Sequence, residues 1–244
     1  MKKALVLSLA GTLLLATAAS TLRAQTAKDV LDRMIEAQGG RAALAAIKDT
    51  TLSGTIDMIA FGMSGRVTMS AKEPDKMRVD IEIGGTVLTQ AYDGTTAWMT
   101  NPQAGGAVQE MDAKQSAEFR RQALGNDSLL HPEKYGLTFT VKGREKIQDK
   151  AYIVLEQAYA DGEKILLYVD PDSYLVFKSH SKATDQSGAE VDAETFMLDY
   201  RKDAGLTVAH GMSVIQGGAE FMRMSFAKIS TNSGLTDAFF KKPK

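Results

Sequence analysis

The sequence contains no cysteine. Disulfide bonds and thiolate metal sites are therefore excluded, and no thiol is present to carry a covalent lipid anchor. The fold has to be held together by its hydrophobic core. A domain of roughly 200 residues buries about 70% of the surface that its unfolded chain exposes, so the chain is long enough for such a core.

The sequence also lacks a large net charge, because it contains 29 lysine and arginine residues and 30 aspartate and glutamate residues. Nucleic acid is not an expected partner, since phosphate binding depends on clustered basic side chains. The basic cluster that does occur is the C-terminal Lys241-Lys242-Pro243-Lys244. It is either a solvated chain end or a contact for anionic lipid headgroups.

No hydrophobic run is long enough to span a bilayer comfortably, which takes about 20 apolar residues. The longest apolar stretch, Ala4 to Ala16, follows two lysines and precedes Leu22-Arg23-Ala24. This arrangement is typical of a cleavable signal peptide. We expect residues 1–24 to be removed after Ala24, with cleavage after Ala18 as an earlier alternative, and the mature protein to be soluble in the periplasm.

Catalytic and metal-binding patterns are missing as well. The histidines His131, His180 and His210 lie far apart in the sequence and lack the spacing of a metal site. Neither a Gly-x-Ser-x-Gly turn nor a glycine-rich phosphate loop is present. We therefore expect no enzymatic activity, no catalytic residues, no metal and no cofactor. A hydrolase that uses acidic residues is the enzymatic alternative.

The chain does carry helical signals. Apolar residues between positions 26 and 38 recur at helical spacing, and Gly39-Gly40 ends the pattern. A second short helix is predicted over Arg41 to Lys48. A third is predicted over Met111 to Leu124, with Asp112 as its N-cap. We expect the three helices to pack together across a sheet.

Much of the remaining sequence alternates between apolar and polar residues, as a half-buried strand does. Met77 to Ile83 is the clearest case, and Gly84-Gly85 joins it to Thr86 to Tyr92 as a hairpin. Similar runs recur along the chain and give about eleven strands. No linker interrupts residues 25–244, so we expect one mainly β domain with a few helices (α+β), whose antiparallel sheet is curved or closed into a barrel.

Twelve methionines are many for a chain of this length, and they fall largely on the predicted strands. Methionine is flexible and polarisable, and adaptable binding surfaces are rich in it. A sheet of about eleven strands also encloses more room than its own side chains readily fill. Two interpretations remain open at this point: a hydrophobic cavity for an acyl chain, or a solid methionine-rich core.

Four sequence motifs occur in the following order along the chain: Glu36-Ala37-Gln38-Gly39-Gly40 with Ala46-Ile47-Lys48, Ala71 to Arg78, Tyr92-Asp93-Gly94-Thr95-Thr96-Ala97-Trp98 with Asn101-Pro102, and Asp199-Tyr200-Arg201 with Gly205-Leu206. As a set they resemble the outer membrane lipoprotein-sorting protein family, the LolA-like superfamily, in its divergent branch. The resemblance implies a curved, incompletely closed antiparallel β-barrel of about eleven strands, with helices covering its concave face. It also implies a carrier that shelters acyl chains in that concavity.

The resulting hypothesis is a periplasmic carrier or binding protein for lipoproteins, lipids or similar hydrophobic ligands. Its partner would be a lipid or a lipoprotein acyl chain, with envelope membrane proteins as further candidates. The predicted ligand-binding residues are apolar positions on central strands and on the third helix: Met77, Val79, Ile81, Val87, Trp98, Ile165, Leu167, Val169, Phe119 and Leu124.

Two alternatives accompany this hypothesis. Trp98 is either a wall of the cavity or a large residue that closes the sheet edge against the helices, and it is expected to be buried in both cases. The protein itself could instead be a non-catalytic envelope interaction module with a filled core, which pairs with a partner through its sheet edge.

Overall fold

The structure, a computed structural model, describes residues 25–101, 105–184, 188–203 and 205–243. The predicted signal peptide and its cleavage site, residues 1–24, lie outside the described residues. Within the described part of the chain, no helix is long and apolar enough to cross a membrane.

The α-helices of the described residues are α1 Ala27–Ala37, α2 Arg41–Ala46, α3 Ala113–Gln122 and α4 Asn126–Leu130. The side chain of Thr26 accepts a hydrogen bond from the amide of Asp29, which begins α1 with a capping box. Asp112 caps α3 in the same way through the amide of Gln115. The three predicted helices are therefore confirmed. Helix α4 was not predicted, because five residues are too few to show a helical period.

The β-strands of the described residues are β1 Asp49–Met58, β2 Met63–Lys72, β3 Lys76–Ile83, β4 Thr86–Tyr92, β5 Ala97–Asn101, β6 Ala107–Glu110, β7 Thr138–Ile147, β8 Lys150–Ala158, β9 Lys164–Val169, β10 Val176–Thr184, β11 Glu190–Asp203, β12 Leu206–Gln216 and β13 Ala219–Thr231. All of them belong to one antiparallel sheet with the order β6-β5-β4-β3-β2-β1-β13-β12-β11-β10-β9-β8-β7. Two meanders are thus joined through the pair β1 and β13.

The sheet is curved and is not closed into a barrel, since within the described residues β6 and β7 each pair on one side only. The predicted fold class is confirmed, but the sheet has thirteen strands rather than about eleven. Helix α3 follows the sixth strand. The additional strand β6 has only four residues and all of them are exposed, so it lacks the alternation that identifies a half-buried strand.

The hairpin between β3 and β4 forms as predicted. Gly84 and Gly85 both have positive φ, at 58° and 81°. A tight two-residue turn that matches the twist of its strands requires this at both central positions, and glycine adopts it without steric strain. The turn fixes the register in which Ile81 lies opposite Leu88.

The helices cover one face of the sheet, which we call the concave face. On one half of this face, α1 places Val30 and Met34 against Ile153, Leu155 and Val169 of β8 and β9. The cluster contains no charged side chain, and its five residues are almost completely buried. This half of the concave face is therefore closed by hydrophobic packing.

Candidate ligand cavity

A cavity of about 470 Å³ lies on the concave face, between the helices α1, α2 and α4 and the strands β1 and β8 to β13. This volume is within the range of about 300–1,000 Å³ found for ligand sites. The helices and the sheet both supply apolar wall residues, among them Met34, Leu44, Leu129, Ile165, Leu167 and Met197. The fold therefore leaves an apolar space beneath its helices.

The polar groups of the cavity include two tyrosines, Tyr159 and Tyr200. The hydroxyl of Tyr200 donates a hydrogen bond of 2.9 Å to the carbonyl oxygen of Val176. Burial raises the pKa of Tyr200 to about 12, and burial also raises the pKa of Tyr159. Both hydroxyls are therefore neutral at physiological pH and do not act as bases.

Met197 belongs to a row of apolar residues that crosses the concave face. It lies opposite Met212 of β12, and Met212 lies opposite Met224 of β13. Met224 in turn lies opposite Ile56 of β1. Met212, Met224 and Ile56 belong to one apolar cluster on β1, β2, β12 and β13. The row thus connects the cavity with the apolar centre of the sheet.

Helix α3 covers part of the other half of the concave face. Its Phe119 and Ala123 pack against Met77 of β3, Tyr92 of β4 and Ala97 of β5, and all five are buried. Because α3 has one buried aromatic anchor and is otherwise polar, it rests on the sheet through a narrow contact.

Two polar contacts join α3 to the opposite half of the sheet. A guanidinium nitrogen of Arg121 lies 2.6 Å from a carboxylate oxygen of Asp161, in the turn between β8 and β9. The ammonium group of Lys114 donates a hydrogen bond of 2.7 Å to the hydroxyl of Thr184 at the end of β10. Helix α3 is therefore fastened to both halves of the sheet.

The Arg121–Asp161 pair is partly buried, with side-chain exposures of 20% and 30%. Burial alone would raise the pKa of Asp161. The hydrogen bond from Arg121, its charge and the backbone amide of Glu163 outweigh that effect and hold the pKa below its usual value. The guanidinium group also lies 5.9 Å from the ring centroid of Tyr159, a cavity residue. The pair therefore stands at the border of the cavity.

Two of the predicted ligand-binding residues, Ile165 and Leu167, lie in the wall of this cavity. Val169 continues the same face of β9 but is fully buried under α1, in contact with the core rather than with the open space. Leu124 lines a separate, more polar recess of about 370 Å³ beside α3.

Four further predicted residues face the same side of the sheet in the other meander. Met77 and Phe119 touch each other in the cluster under α3. Val79 is half-buried between this cluster and the apolar cluster at Ile56, and Ile81 packs against the latter. These four residues are brought together on the concave face, outside the wall of the 470 Å³ cavity.

Val87 and Trp98 face away from the helices, so neither lies where the hypothesis placed it. Val87 lies opposite Glu82 and is 51% exposed. Trp98 follows Ala97, whose side chain contacts the α3 cluster, and successive strand residues point to opposite faces. On this convex face the indole is covered by the C-terminal segment, residues 232–243. Both interpretations of Trp98 are thus corrected, although its expected burial is confirmed at 1% exposure.

Several cavity residues were missed by the sequence analysis. Met34 and Leu44 belong to helices that were predicted, but nothing in their spacing distinguishes a cavity wall from a core contact. Leu129 lies on the unpredicted helix α4. For Val87 a signal was available, because counting the strand period across the Gly84-Gly85 turn places Val87 on the face of Glu82.

No protein-family profile matches the chain, and no curated protein matches it significantly in sequence. Solved structures do match. A DUF1329 family protein from Desulfovibrio piger ATCC 29098 superposes with a TM-score of 0.59 at 16% identity, over 88% of this chain and 97% of that one. A LolA superfamily protein from Nitrosomonas europaea gives a TM-score of 0.62 at 15% identity, over 89% and 98% of the two chains.

A third structure, assigned as an outer membrane lipoprotein-sorting protein domain from Vibrio parahaemolyticus, gives a TM-score of 0.58 at 18% identity, over 88% of this chain and 97% of that domain. These similarities show that the chain has the LolA-like fold. The resemblance seen in the sequence phrases is therefore confirmed at the level of the fold.

Proposed function

We propose that this protein is a periplasmic carrier or binding protein for lipids, lipoproteins or similar hydrophobic ligands, and that it holds an acyl chain in the cavity of the concave face. The observation that carries the proposal is the apolar space of about 470 Å³ between the helices and the sheet. A filled core, as an interaction module would have, leaves no such space. The periplasmic location rests on the signal-peptide pattern of residues 1–24.

The energetics of such a site are favourable without any charged contact. Each buried methylene group contributes about 0.8 kcal/mol, so a chain of about ten methylenes contributes about 8 kcal/mol. This equals the free energy of micromolar binding, from which the cost of moving the helices has to be subtracted. The methionine row through Met197, Met212 and Met224 is suited to ligands of irregular shape, because methionine side chains adapt their rotamers easily.

The same wall chemistry argues for binding rather than catalysis. The cavity tyrosines are neutral hydroxyls with raised pKa values. Because Tyr200 donates its proton to the carbonyl oxygen of Val176, Tyr159 is the tyrosine that is suited to donate to a headgroup or an ester carbonyl. The Vibrio domain assigned to lipoprotein sorting shares the fold, and this supports the choice of lipidated cargo. Our proposal therefore includes no catalytic residue and no cofactor.

The experiment compares two neighbouring residues of β11 that face opposite sides. Met197 lines the cavity, and Leu198 is 38% exposed outside it. We expect Met197→Trp to weaken the binding of a fluorescent fatty-acid probe by about tenfold or more, because the indole occupies space that the acyl chain needs. Leu198→Trp should bind the probe as the unmodified protein does.

Native mass spectrometry of the protein from a periplasmic extract identifies the cargo class. A lipid or acylated-peptide adduct is the expected result. A clean protein mass, together with no probe binding by the unmodified protein, would contradict the proposal and favour the interaction module instead.

A further inference from the structure

One end of the sheet carries an unusual concentration of exposed apolar side chains. We call this end the hairpin rim and define it as residues 58–63, 83–87 and 216–221, the turns between β1 and β2, between β3 and β4, and between β12 and β13. Four of the six large apolar side chains that are exposed within the described residues lie there: Ile59, Phe61, Met63 and Val87, with exposures of 44%, 42%, 40% and 51%.

The rim is almost free of charge. No charged residue occurs between Asp57 and Arg66, nor between Glu82 and Asp93. The third turn, residues 216–221, contains one charged residue, Glu220. Charged residues make up 24% of the whole sequence, so these two uncharged stretches differ clearly from the rest of the surface.

Each of the charged residues that flank the rim has a polar partner. Glu220 forms an ion pair with Arg223 at 2.8 Å, and Arg66 lies 3.8 Å from Glu82. The carboxylate of Asp57 accepts a hydrogen bond of 2.7 Å from the hydroxyl of Ser64. Three carboxylates and two guanidinium groups thus border the rim, so it has no basic excess that would attract anionic lipid.

The rim is also continuous with the apolar interior. The rings of Phe61 and Phe221 meet edge to face with their centroids 5.7 Å apart, which joins two of the three turns. Next to them, Met58 and Met222 pack against the cluster that contains Met224. Through Met224 and the methionine row, the rim connects with the wall of the cavity along one face of the sheet.

From these observations we infer that the hairpin rim is a docking surface for the neutral, hydrocarbon-rich interface of a lipid bilayer. Insertion of Ile59, Phe61 and Met63 would remove apolar surface from water without burying a charge. A protein partner that relied on ion pairs would find no match on this surface. The connection from the rim to the cavity, as a route for lipid, rests on the proposed function, whereas bilayer binding by itself does not.

Electrostatic adsorption of a basic patch to anionic lipid can be distinguished by experiment from insertion of the apolar rim. A basic patch binds anionic lipids in a manner that salt weakens. In this chain the basic cluster lies at the C-terminus, where Lys242 forms an ion pair with Glu110 on β6. Binding through the rim should depend little on anionic lipid or on salt.

The test is flotation of the full mature protein with vesicles of phosphatidylcholine alone and of phosphatidylcholine mixed with phosphatidylglycerol. We expect binding to both, changing by less than about twofold between low and high salt. The double variant Ile59→Asn, Phe61→Ser should lower the bound fraction by about tenfold or more. The matched control, Leu198→Ser, removes an exposed leucine outside the rim and should leave binding unchanged.

Three results would overturn the inference: no flotation with phosphatidylcholine, binding confined to anionic vesicles and lost in salt, or equal binding by the rim variant. Self-association that the rim variant abolishes, without vesicle binding, would identify the rim as a contact between copies of this chain and would also overturn it. Probe binding in solution, measured on the same variants, reports on the cavity alone. A failure of bilayer docking is thus distinguished from a failure of the carrier function.

Discussion

The indole nitrogen of Trp98 donates a hydrogen bond of 2.9 Å to the backbone carbonyl oxygen of Phe240. Both side chains are almost completely excluded from solvent, with exposures of 1% and 0%. Arg78 of β3, two strands away in the sheet, donates a second hydrogen bond, of 3.1 Å, to the carbonyl oxygen of Phe239. The C-terminal segment therefore lies as a layer on the convex face, away from the candidate cavity, and Phe240 is its buried anchor.

This layer can be followed through the single tryptophan of the sequence. We expect Phe240→Ala to lower the free energy of unfolding by about 3–5 kcal/mol, because it removes a fully buried aromatic side chain. The emission of Trp98 should shift to longer wavelength as water reaches the indole. Lys241→Ala, which changes an exposed neighbour, serves as the control in urea unfolding and should change neither quantity. Addition of a lipid to the unmodified protein should leave the emission unchanged, because Trp98 faces away from the cavity.

Asp49 holds the beginning of the same C-terminal segment. The carboxylate is 3% exposed and accepts hydrogen bonds from the amides of Ser233, Gly234 and Leu235 and from the Ser233 hydroxyl. Burial raises the pKa of Asp49, but these donors outweigh it and the pKa is lowered overall. We expect Asp49→Asn to destabilise the protein by about 1–3 kcal/mol at neutral pH.

The lowered pKa of Asp49 determines how the difference in stability between the unmodified protein and Asp49→Asn depends on pH. A carboxylate with a lowered folded-state pKa stabilises the protein above its unfolded pKa of about 3.9, and the stabilisation is lost as the pH falls through the folded-state value. The stabilities of the two proteins in denaturant unfolding should therefore begin to converge as the pH falls below about 4, and should become equal only below the lowered folded-state pKa. A pH of about 2.5 lies well below the usual pKa of aspartate. If the difference in unfolding free energy between the two proteins stayed constant down to that pH, the charge of Asp49 would make no contribution to stability.

The ion pair between Arg121 and Asp161 is expected to control access to the cavity. Asp161→Asn should speed the uptake of a fatty-acid probe by a factor of about three to ten, since the removed contact contributes about 1 kcal/mol. The lowered pKa of Asp161 means that the pair is intact above about pH 4 and is lost as the pH falls further. Uptake by the unmodified protein should therefore accelerate in acid, while the variant shows no such acceleration.

Asp192→Asn is the matched control for this measurement. Asp192 pairs with Lys182 at 2.8 Å on the surface of β10 and β11, where both side chains are more than half exposed. Stopped-flow uptake should be the same for this variant and for the unmodified protein. If Asp192→Asn also accelerated uptake, a general effect of charge would explain the result instead of the release of α3.

Phe119 is the anchor of α3 on the sheet. Phe119→Ala should free this helix without unfolding the sheet, because the other buried residue contributed by this region, Ala123, is small. Hydrogen exchange of the amides in residues 113–122 should become faster by about a hundredfold or more, since losing the ring costs about 3–5 kcal/mol. The exposed Glu118→Ala should leave exchange nearly unchanged. Faster exchange throughout β3 and β4 as well would mean that α3 supports the sheet and is not an independent cover.

The sequence predicted the architecture well where local signals determine it. The strand period around Met77 and the glycines at 84 and 85 specify both a hairpin and its register. The structure reproduces the predicted strand bounds at Thr86–Tyr92. Asp112 identified the start of α3 because capping is a local interaction. The curved, open form of the sheet came from the family resemblance and was confirmed by the structure.

The ligand site was predicted less well, because it depends on contacts between distant residues. Ile165 and Leu167 could be chosen as inward-facing by their period, but the helices that complete the wall are placed there only by tertiary packing. Trp98 illustrates the same difficulty. Its hydrogen-bond partner, Phe240, is 142 residues away in the sequence and lies in a segment with no regular period. No local pattern therefore predicts that the convex face is covered at Trp98.

Within the part of the chain that the structure describes, the sheet has two free edges. In a closed barrel the radius is set by the number of strands and their stagger, so the interior has a fixed diameter. Here the ladder ends at β6 on one side and at β7 on the other. A change of the angle between neighbouring strands can therefore widen or narrow the interior while every ladder hydrogen bond is kept. Under the proposed carrier function, the size of the ligand is then limited by how far the sheet can flex, and cargoes with one or several acyl chains are expected to share a single binding site.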